Sequence, residues 1–308
     1  NCPHHTQIFA RKPHSYREMP QRLATTTMCY RDEQTGELHG LSRLRSFTQD
    51  DAHVFCREAQ VKEEAMNTWD IIETFYGAFG FTLKLRLSTH DPEHMENYLG
   101  DLGMWGRSVA GLEELLKQRG AVYDMGVGEA AFYGPKIEFL ATDSIGRQWQ
   151  VATIQVDRNL PERFGLNCVN EAGVPERIVM IHAAIMGSIE RFLSNLLEHT
   201  AGALPFWLAP VQIQLATVSS DFVGVAQQIL AKLVQAGVRA ELDDSDEKVG
   251  KKIRTAAMMK IPWTIVVGVK EAQGMDFKVN VFGQEEDLVI PVGDLVKRAL
   301  EVSRFPLV

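Results

Sequence analysis

Arg31, Glu33, Arg43, Arg45, Phe47, Gln49, Asp51 and His53 fall within one short stretch, TMCYRDEQTGELHGLSRLRSFTQDDAHVFC over Thr27–Cys56. Guanidinium forks bind phosphates and carboxylates through paired, charge-assisted hydrogen bonds. A flat ring offers a stacking face, and the amide, carboxylate and imidazole that follow suit a polar or metal-bound group. The set matches what an anionic, aromatic ligand needs. Turn chemistry at Gln34–Gly40, with Thr35-Gly36 and His39-Gly40, predicts two strands joined by a polar loop. Alternation then puts Arg31 and Glu33 on one face of the first strand, and Arg43, Arg45, Phe47, Gln49, Asp51 and His53 on one face of the second. A hairpin with one wet face accounts for such composition equally well. The order of the residues is what favours a site.

These residues need a scaffold, and 308 residues suggest two domains with ample core. The chain is 45% hydrophobic and 23% charged, as ordinary globular proteins are. No apolar run is long enough for a membrane helix. Asn1 rather than Met opens the sequence, which reads as part of a longer chain. Four cysteines without disulfide-rich spacing favour a reducing compartment, and a cytoplasmic location is expected. The net charge is −8, of which only −1 lies beyond Pro205. Bulk charge therefore argues mildly against a nucleic-acid partner, and any such contact must rest on local patches.

The hairpin is followed by a predicted long helix over 57–80, with Val61, Ala65, Thr68, Trp69, Ile72, Phe75 and Phe79 as its buried stripe. A half-buried strand follows over 81–88, then a loop to Gly103 and a helix over 104–119. A second antiparallel pair spans 136–143 and 148–157, and a short strand covers 178–181. A helix opened by Gly187 has Ile189, Phe192, Leu193, Leu196 and Leu197 as its core and Arg191 on its flank. This pattern predicts an α+β domain over 1–205. The prolines around Phe206-Trp207 mark the boundary. Residues 206–308 then read β-α-β-α-β-β-α, an α/β domain with a mostly parallel sheet.

Arg31-Asp32-Glu33, a loop and Phe47-Thr48-Gln49-Asp50 resemble motif 2 of the class II aminoacyl-tRNA synthetases. From Asn1-Cys2-Pro3 through TQDDAHVFC, and more weakly beyond Pro205, the chain is similar to the threonyl-tRNA synthetase family. That resemblance implies an antiparallel-sheet catalytic domain and an anticodon-binding domain. It implies a threonine–tRNA ligase that forms threonyl-adenylate from threonine and ATP, then charges tRNA(Thr). Magnesium is expected with ATP, and a homodimer is expected from the family, whose interface element (motif 1) precedes the position of Asn1.

The resemblance also assigns residues. Cys2, His53 and His182 match the family's zinc ligands; read alone they form no spacing motif, and His4, His5 and Cys56 compete for the metal. Such a zinc distinguishes threonine from valine, which lacks the hydroxyl. Arg31 is expected to bridge the threonine carboxylate and the α-phosphate, and with Arg191 of motif 3 to be catalytic. Glu33 is expected to meet the adenine amine, Phe47 to stack on adenine, and Arg43 and Arg191 to clamp the outer phosphates. Gln49, Asp51, Tyr133, Gln150 and Ser188 are expected to line the threonine pocket, and Gln155 to face ATP.

The chain departs from the family at His4, Ala130 and Ala152, where glycine is usual, and at Ala183, where arginine is usual. Ala152 is expected to narrow the pocket and Ala183 to remove a cation near the phosphates. In the second domain Lys248–Arg254 is the best basic patch, whereas Glu285 and Glu286 in the Val281–Asp287 turn would repel phosphates. A prolyl-type enzyme and a non-charging paralogue are the rival readings. A prolyl site has no use for the three metal-type residues.

Overall fold

A computed structural model describes residues 2–306. The chain parts into two compact units between His199 and Thr200. In the first unit the elements run α1 (Cys2–Ala10), β1 (Gln21–Tyr30), β2 (Ser46–Cys56), α2 (Val61–Ala78), β3 (Lys84–Thr89), α3 (Leu102–Gln118), β4 (Tyr123–Val127), β5 (Lys136–Thr142) and β6 (Gln148–Asp157). They continue with α4 (Asn159–Arg163), the small pair β7 (Asn167–Val169) and β8 (Pro175–Arg177), β9 (Val179–Ala184) and α5 (Ile189–His199). Seven of the strands form one sheet in the order β1-β2-β9-β6-β5-β3-β4. Every pairing in it is antiparallel except β3 with β4.

One face of this sheet is dry. Trp69, Ile72 and Tyr76 of α2 are buried, and the Trp69 and Phe139 rings meet edge-on at 5.2 Å. Burying such side chains contributes roughly 1.5–3 kcal/mol each. The stripe differs from the sequence expectation at its end: Phe75 and Phe79 are only half-buried, while Tyr76 and Glu64 are covered. Glu64 tolerates burial because Arg22 grips it with two bonds of 2.7 and 2.6 Å. The other face carries the polar residues. One end of it is roofed by α1, where Phe9 stacks on Phe55 at 4.7 Å above a small core with Met19, Leu166, Cys168, Ile178 and Met180.

Several sequence expectations are corrected. β1 ends at Tyr30 and β2 begins at Ser46, so Arg31, Glu33, Arg43 and Arg45 lie on the connecting loop rather than on strand faces. β4 escaped notice because YDMGV has no alternation, and it sits on an outer edge. On α5, Leu193 and Leu197 are exposed, while Phe192, Asn195 and Leu196 are buried.

The second unit contains β10 (Ile213–Thr217), α6 (Val223–Gln235), β11 (Ala240–Asp243), α7 (Val249–Met258), β12 (Trp263–Val267), α8 (Val269–Ala272), β13 (Phe277–Val281), β14 (Leu288–Ile290) and α9 (Leu295–Val302). Its sheet runs β11-β10-β12-β13-β14. Only the β11-β10-β12 part is parallel; β13 and the unforeseen β14 are antiparallel, so the sheet is mixed rather than mostly parallel. The basic patch also loses a member. Lys252 is buried, its ammonium bonded to Thr217 O, Thr217 Oγ1 and Asp243 O at 3.0–3.2 Å.

Candidate active site

Strand register lines up remote residues. His53 on β2 lies opposite His182 on β9, and His182 lies opposite Gln155 on β6. Opposed antiparallel residues bring their Cβ atoms within about 5.5 Å, so three distant positions form one row. α1 brings Cys2 to it. Cys2 Sγ is 3.5 Å from His182 Nδ1, and His53 Nε2 is 3.0 Å from the same nitrogen. The three donor atoms lie within 4.8 Å of one another, the one convergence of three such groups among the described residues. Zinc, with sulfur at about 2.3 Å and nitrogen at about 2.0–2.1 Å, would hold a tetrahedral sulfur–nitrogen pair about 3.5 Å apart and two nitrogens about 3.3 Å apart. The donor set fits that ion in both chemistry and spacing.

The surroundings fix which nitrogen each imidazole presents. His182 Nε2 meets Asp157 Oδ2 at 2.9 Å, and Asp157 Oδ1 accepts from the amides of Asn159 and Leu160. His53 Nδ1 meets His5 Nδ1 at 2.8 Å. Burial, with the nearby His182 and His5, presses the His53 imidazole down to about 2, so it is neutral. Burial alone would lower His182 as well, but its bonds to Asp157 and Cys2 outweigh that and hold it up at about 9. A cation at Nδ1 displaces that proton, so metal uptake weakens as pH falls. The competitors drop out: His4 is exposed, His5 stands behind His53, and burial pushes the Cys56 thiol up to about 12.

Beside this corner opens a pocket lined by Arg31, Glu33, Arg43, Phe47, Gln49, Gln150, Gln155, Ser188 and Arg191. The Arg31 guanidinium lies over the Phe47 ring at 5.2 Å. Arg191 is held by Ser42 O at 2.7 Å and Gln150 O at 2.9 Å, and lies over the Trp149 ring. Burial, then the like charges of Arg31 and Arg43, lower its pKa. Like charges crowded in a half-buried pocket favour an incoming polyanion. Arg43 Nε is bonded to Glu33 at 2.8 Å, so the residues expected at phosphate and adenine pair with each other. Arg45 lies off the pocket lining, bonded to Glu33 O and Thr35.

Asp51 and Tyr133 belong to the Cys/His corner. Asp51 Oδ2 is 3.9 Å from His53 Nδ1, and the Tyr133 ring stacks on His182 at 4.6 Å. Tyr133 donates to Gln155 Oε1 at 2.6 Å, which joins corner to pocket. Ala152 lines the pocket as expected, where a bulge after Phe139 admits Val151 as an extra residue. Ala183 does not line the pocket. It lies on the face of β9 opposite His182 and Ala184, and only Ala184 lines the pocket.

Asp50, on the far face of β2, was assigned no role in the sequence. It accepts from the amides of Ile185, Met186 and Gly187 at 2.5–3.1 Å. Glu190 reaches back to the Thr48 amide at 2.9 and 3.0 Å. These bonds clamp the β9–α5 turn against β2 and set Ser188 beside Gln49. Their signal was a carboxylate alternating out of the site face on a strand otherwise rich in ligand-type residues.

Comparison with known proteins decides the family. The signature of the tRNA synthetase class II core domain (G, H, P, S and T) matches residues 1–200, and that of an anticodon binding domain matches 212–301. The crystal structure of the RNA binding domain of threonyl-tRNA synthetase from Cryptosporidium parvum superposes with a TM-score of 0.91 at 35% identity, over 99% of this chain and 76% of that one. The chain belongs to the class II tRNA synthetases, within their threonyl family. A threonine–tRNA ligase of Chloroherpeton thalassium is 43% identical over 96% of this chain and 45% of its own length. One from Pelodictyon phaeoclathratiforme is 46% identical over 89% of this chain and 42% of its own. The chain spans about half the length of the curated relatives it matches. Among the described residues no helix is long and apolar enough to cross a membrane.

Proposed function

We propose that this chain activates threonine with ATP and passes it to tRNA(Thr), with residues 1–205 carrying the chemistry and 206–308 meeting the anticodon. The observation that carries the reading is the convergence of Cys2, His53 and His182 beside an arginine-lined pocket. Cys2, His53 and His182 would hold zinc, which would supply a Lewis-acid contact for the amino and hydroxyl groups of threonine. Asp51 accepts from the β-hydroxyl, and Tyr133 with Gln49, Gln150 and Ser188 closes around the amino acid. A site wired for a hydroxyl rejects valine, because its polar groups would be left unpaired.

Arg31 holds the threonine carboxylate against the α-phosphate. A carboxylate oxygen attacks phosphorus, the bond to the bridging oxygen breaks and pyrophosphate leaves, its charge met by Arg43, Arg191 and magnesium. Phe47, Glu33 and Gln155 position the nucleotide. A terminal ribose hydroxyl of tRNA then attacks the adenylate's carbonyl carbon and AMP departs. A cytoplasmic homodimer is carried over from the family, and four cysteines without a disulfide suit that compartment.

Amino-acid-dependent exchange of labelled pyrophosphate into ATP tests the proposal. Exchange with threonine, lost on zinc chelation, is expected. Exchange with proline would assign the chain to the prolyl type, and no exchange with any amino acid would make it a non-charging relative.

A further inference from the structure

We propose that His5 is a positioning residue for the metal corner: by accepting a hydrogen bond from His53 Nδ1 it compels His53 to present Nε2 to the ion. The proposal rests on the zinc reading above. Cys2 and His5 are three residues apart on α1, so one helix face delivers both the thiol and this outer imidazole. His5 is buried, and its Nδ1 lies 2.8 Å from His53 Nδ1, with the rings edge-on. The Asp51 carboxylate is no substitute acceptor for that nitrogen, since its Oδ2 stands 3.9 Å away, beyond hydrogen-bond reach.

A neutral imidazole carries one proton on one nitrogen and a lone pair on the other. If Nδ1 of His53 donates to His5, its lone pair is on Nε2, the atom 3.0 Å from His182 Nδ1. Asp157 acts on His182 in the opposite sense: it accepts a hydrogen bond from Nε2–H, which leaves Nδ1 to face the site. The two ligands are thus locked in opposite tautomers by two different partners. Without His5, His53 can tautomerise or rotate, and one of three ligands is no longer preset. Outer partners of this kind typically matter 10–100-fold in metal affinity.

The test compares zinc affinity, by chelator competition, in the wild-type chain, His5→Phe and His5→Asn, with the cobalt-substituted visible spectrum as a report on ligand geometry. Phe fills the space but accepts nothing, whereas the Asn amide oxygen can stand near the position of Nδ1. The expected result is a fall of about 10–100-fold for His5→Phe, with an altered cobalt spectrum, and recovery to within about threefold for His5→Asn. The KM for threonine should rise in His5→Phe while that for ATP stays level. Should the Phe variant fold poorly, as judged by its thermal unfolding, His5→Leu replaces it. Wild-type affinity in the Phe or Leu variant overturns the proposal, as does an equal loss in Phe and Asn variants, which would mean packing alone. A wild-type chain that takes up no zinc overturns the metal reading itself, a result distinct from either.

Discussion

The Cys/His corner and the arginine-lined pocket share one sheet face and are wired differently. In the corner, the imidazole nitrogens that point away from the cluster meet Asp157 and His5, and Tyr133 stacks on His182. In the pocket, three guanidinium groups crowd together on a loop and a helix, and Arg43 is bonded to Glu33. Both imidazoles of the corner sit on strands and its thiol on α1, so the cluster is set before a ligand arrives. To take an anionic ligand, the pocket would exchange an internal ion pair for the ligand's charges. Sites on strands are held more rigidly than sites on loops. On the proposed function, the side that would discriminate is therefore the rigid one, and the side that would take the triphosphate is the adaptable one.

The largest effect should follow from deleting a metal ligand. Cys2→Ala should lose more than the roughly hundredfold that an outer partner can cost, in both zinc affinity and threonine-dependent exchange. Metal analysis and exchange rates check it; retained zinc with unchanged exchange would leave the corner without its assigned role. Arg191→Ala should come next, lowering kcat of exchange by about 10²–10³ as one charge-stabilising donor is lost. Its zinc content should stay at the wild-type level. If zinc falls together with kcat, corner and pocket are one coupled unit and the contrast collapses.

How much of this was legible in the sequence follows the same division. Phe47, Gln49, Asp51 and His53 were readable as one face because strand alternation is a local rule, and they do share β2. Arg31, Glu33, Arg43 and Arg45 were misplaced on strands, since charged residues alternate by chance in a loop as well. His53 and His182 meet only through the β2–β9 pairing, which no local spacing encodes, and family resemblance alone brought them together. The outer partners were harder still. His5 read as a rival ligand, Asp157 as a strand end, and Asp50 carried no role at all. Their roles depend on what lies across the sheet. Lys252 shows the converse error: a basic run looked like a surface patch, yet helix geometry turns one lysine inward to three oxygen acceptors.

A backbone change should separate corner and pocket more finely. Gly187 has φ of +70°, and a Cβ there would lie 2.4 Å from Val151 O. Gly187→Ala should destabilise the chain by about 1–3 kcal/mol through backbone strain and move Ser188 and Arg191 away from Gln49. KM for ATP and threonine should both rise, while chelator competition still finds tight zinc because Cys2, His53 and His182 lie on other elements. A loss of zinc in this variant would show that the Asp50-clamped turn also holds the corner.

The smallest effect concerns the wall behind Arg191. Asp143 accepts from Trp149 Nε1 at 2.9 Å and from Arg147 Nε at 2.6 Å, and Arg191 lies on that indole. Burial alone would raise the Asp143 carboxyl, but the bonds from Trp149 and Arg147 outweigh it and hold it at about 2. The unfolded value is about 3.9. With the folded pKa depressed, this carboxylate's contribution to stability is present above pH ~4 and lost as pH falls towards ~2. Asp143→Asn should be less stable at neutral pH and should lose less further stability between those values than the wild type does, as urea midpoints at each pH will show. Zinc affinity should be untouched and KM for ATP only slightly raised. An identical acid slope in both proteins would mean that Asp143 does not brace the indole, and the pocket wall would then owe its position to Arg147 and His39 alone.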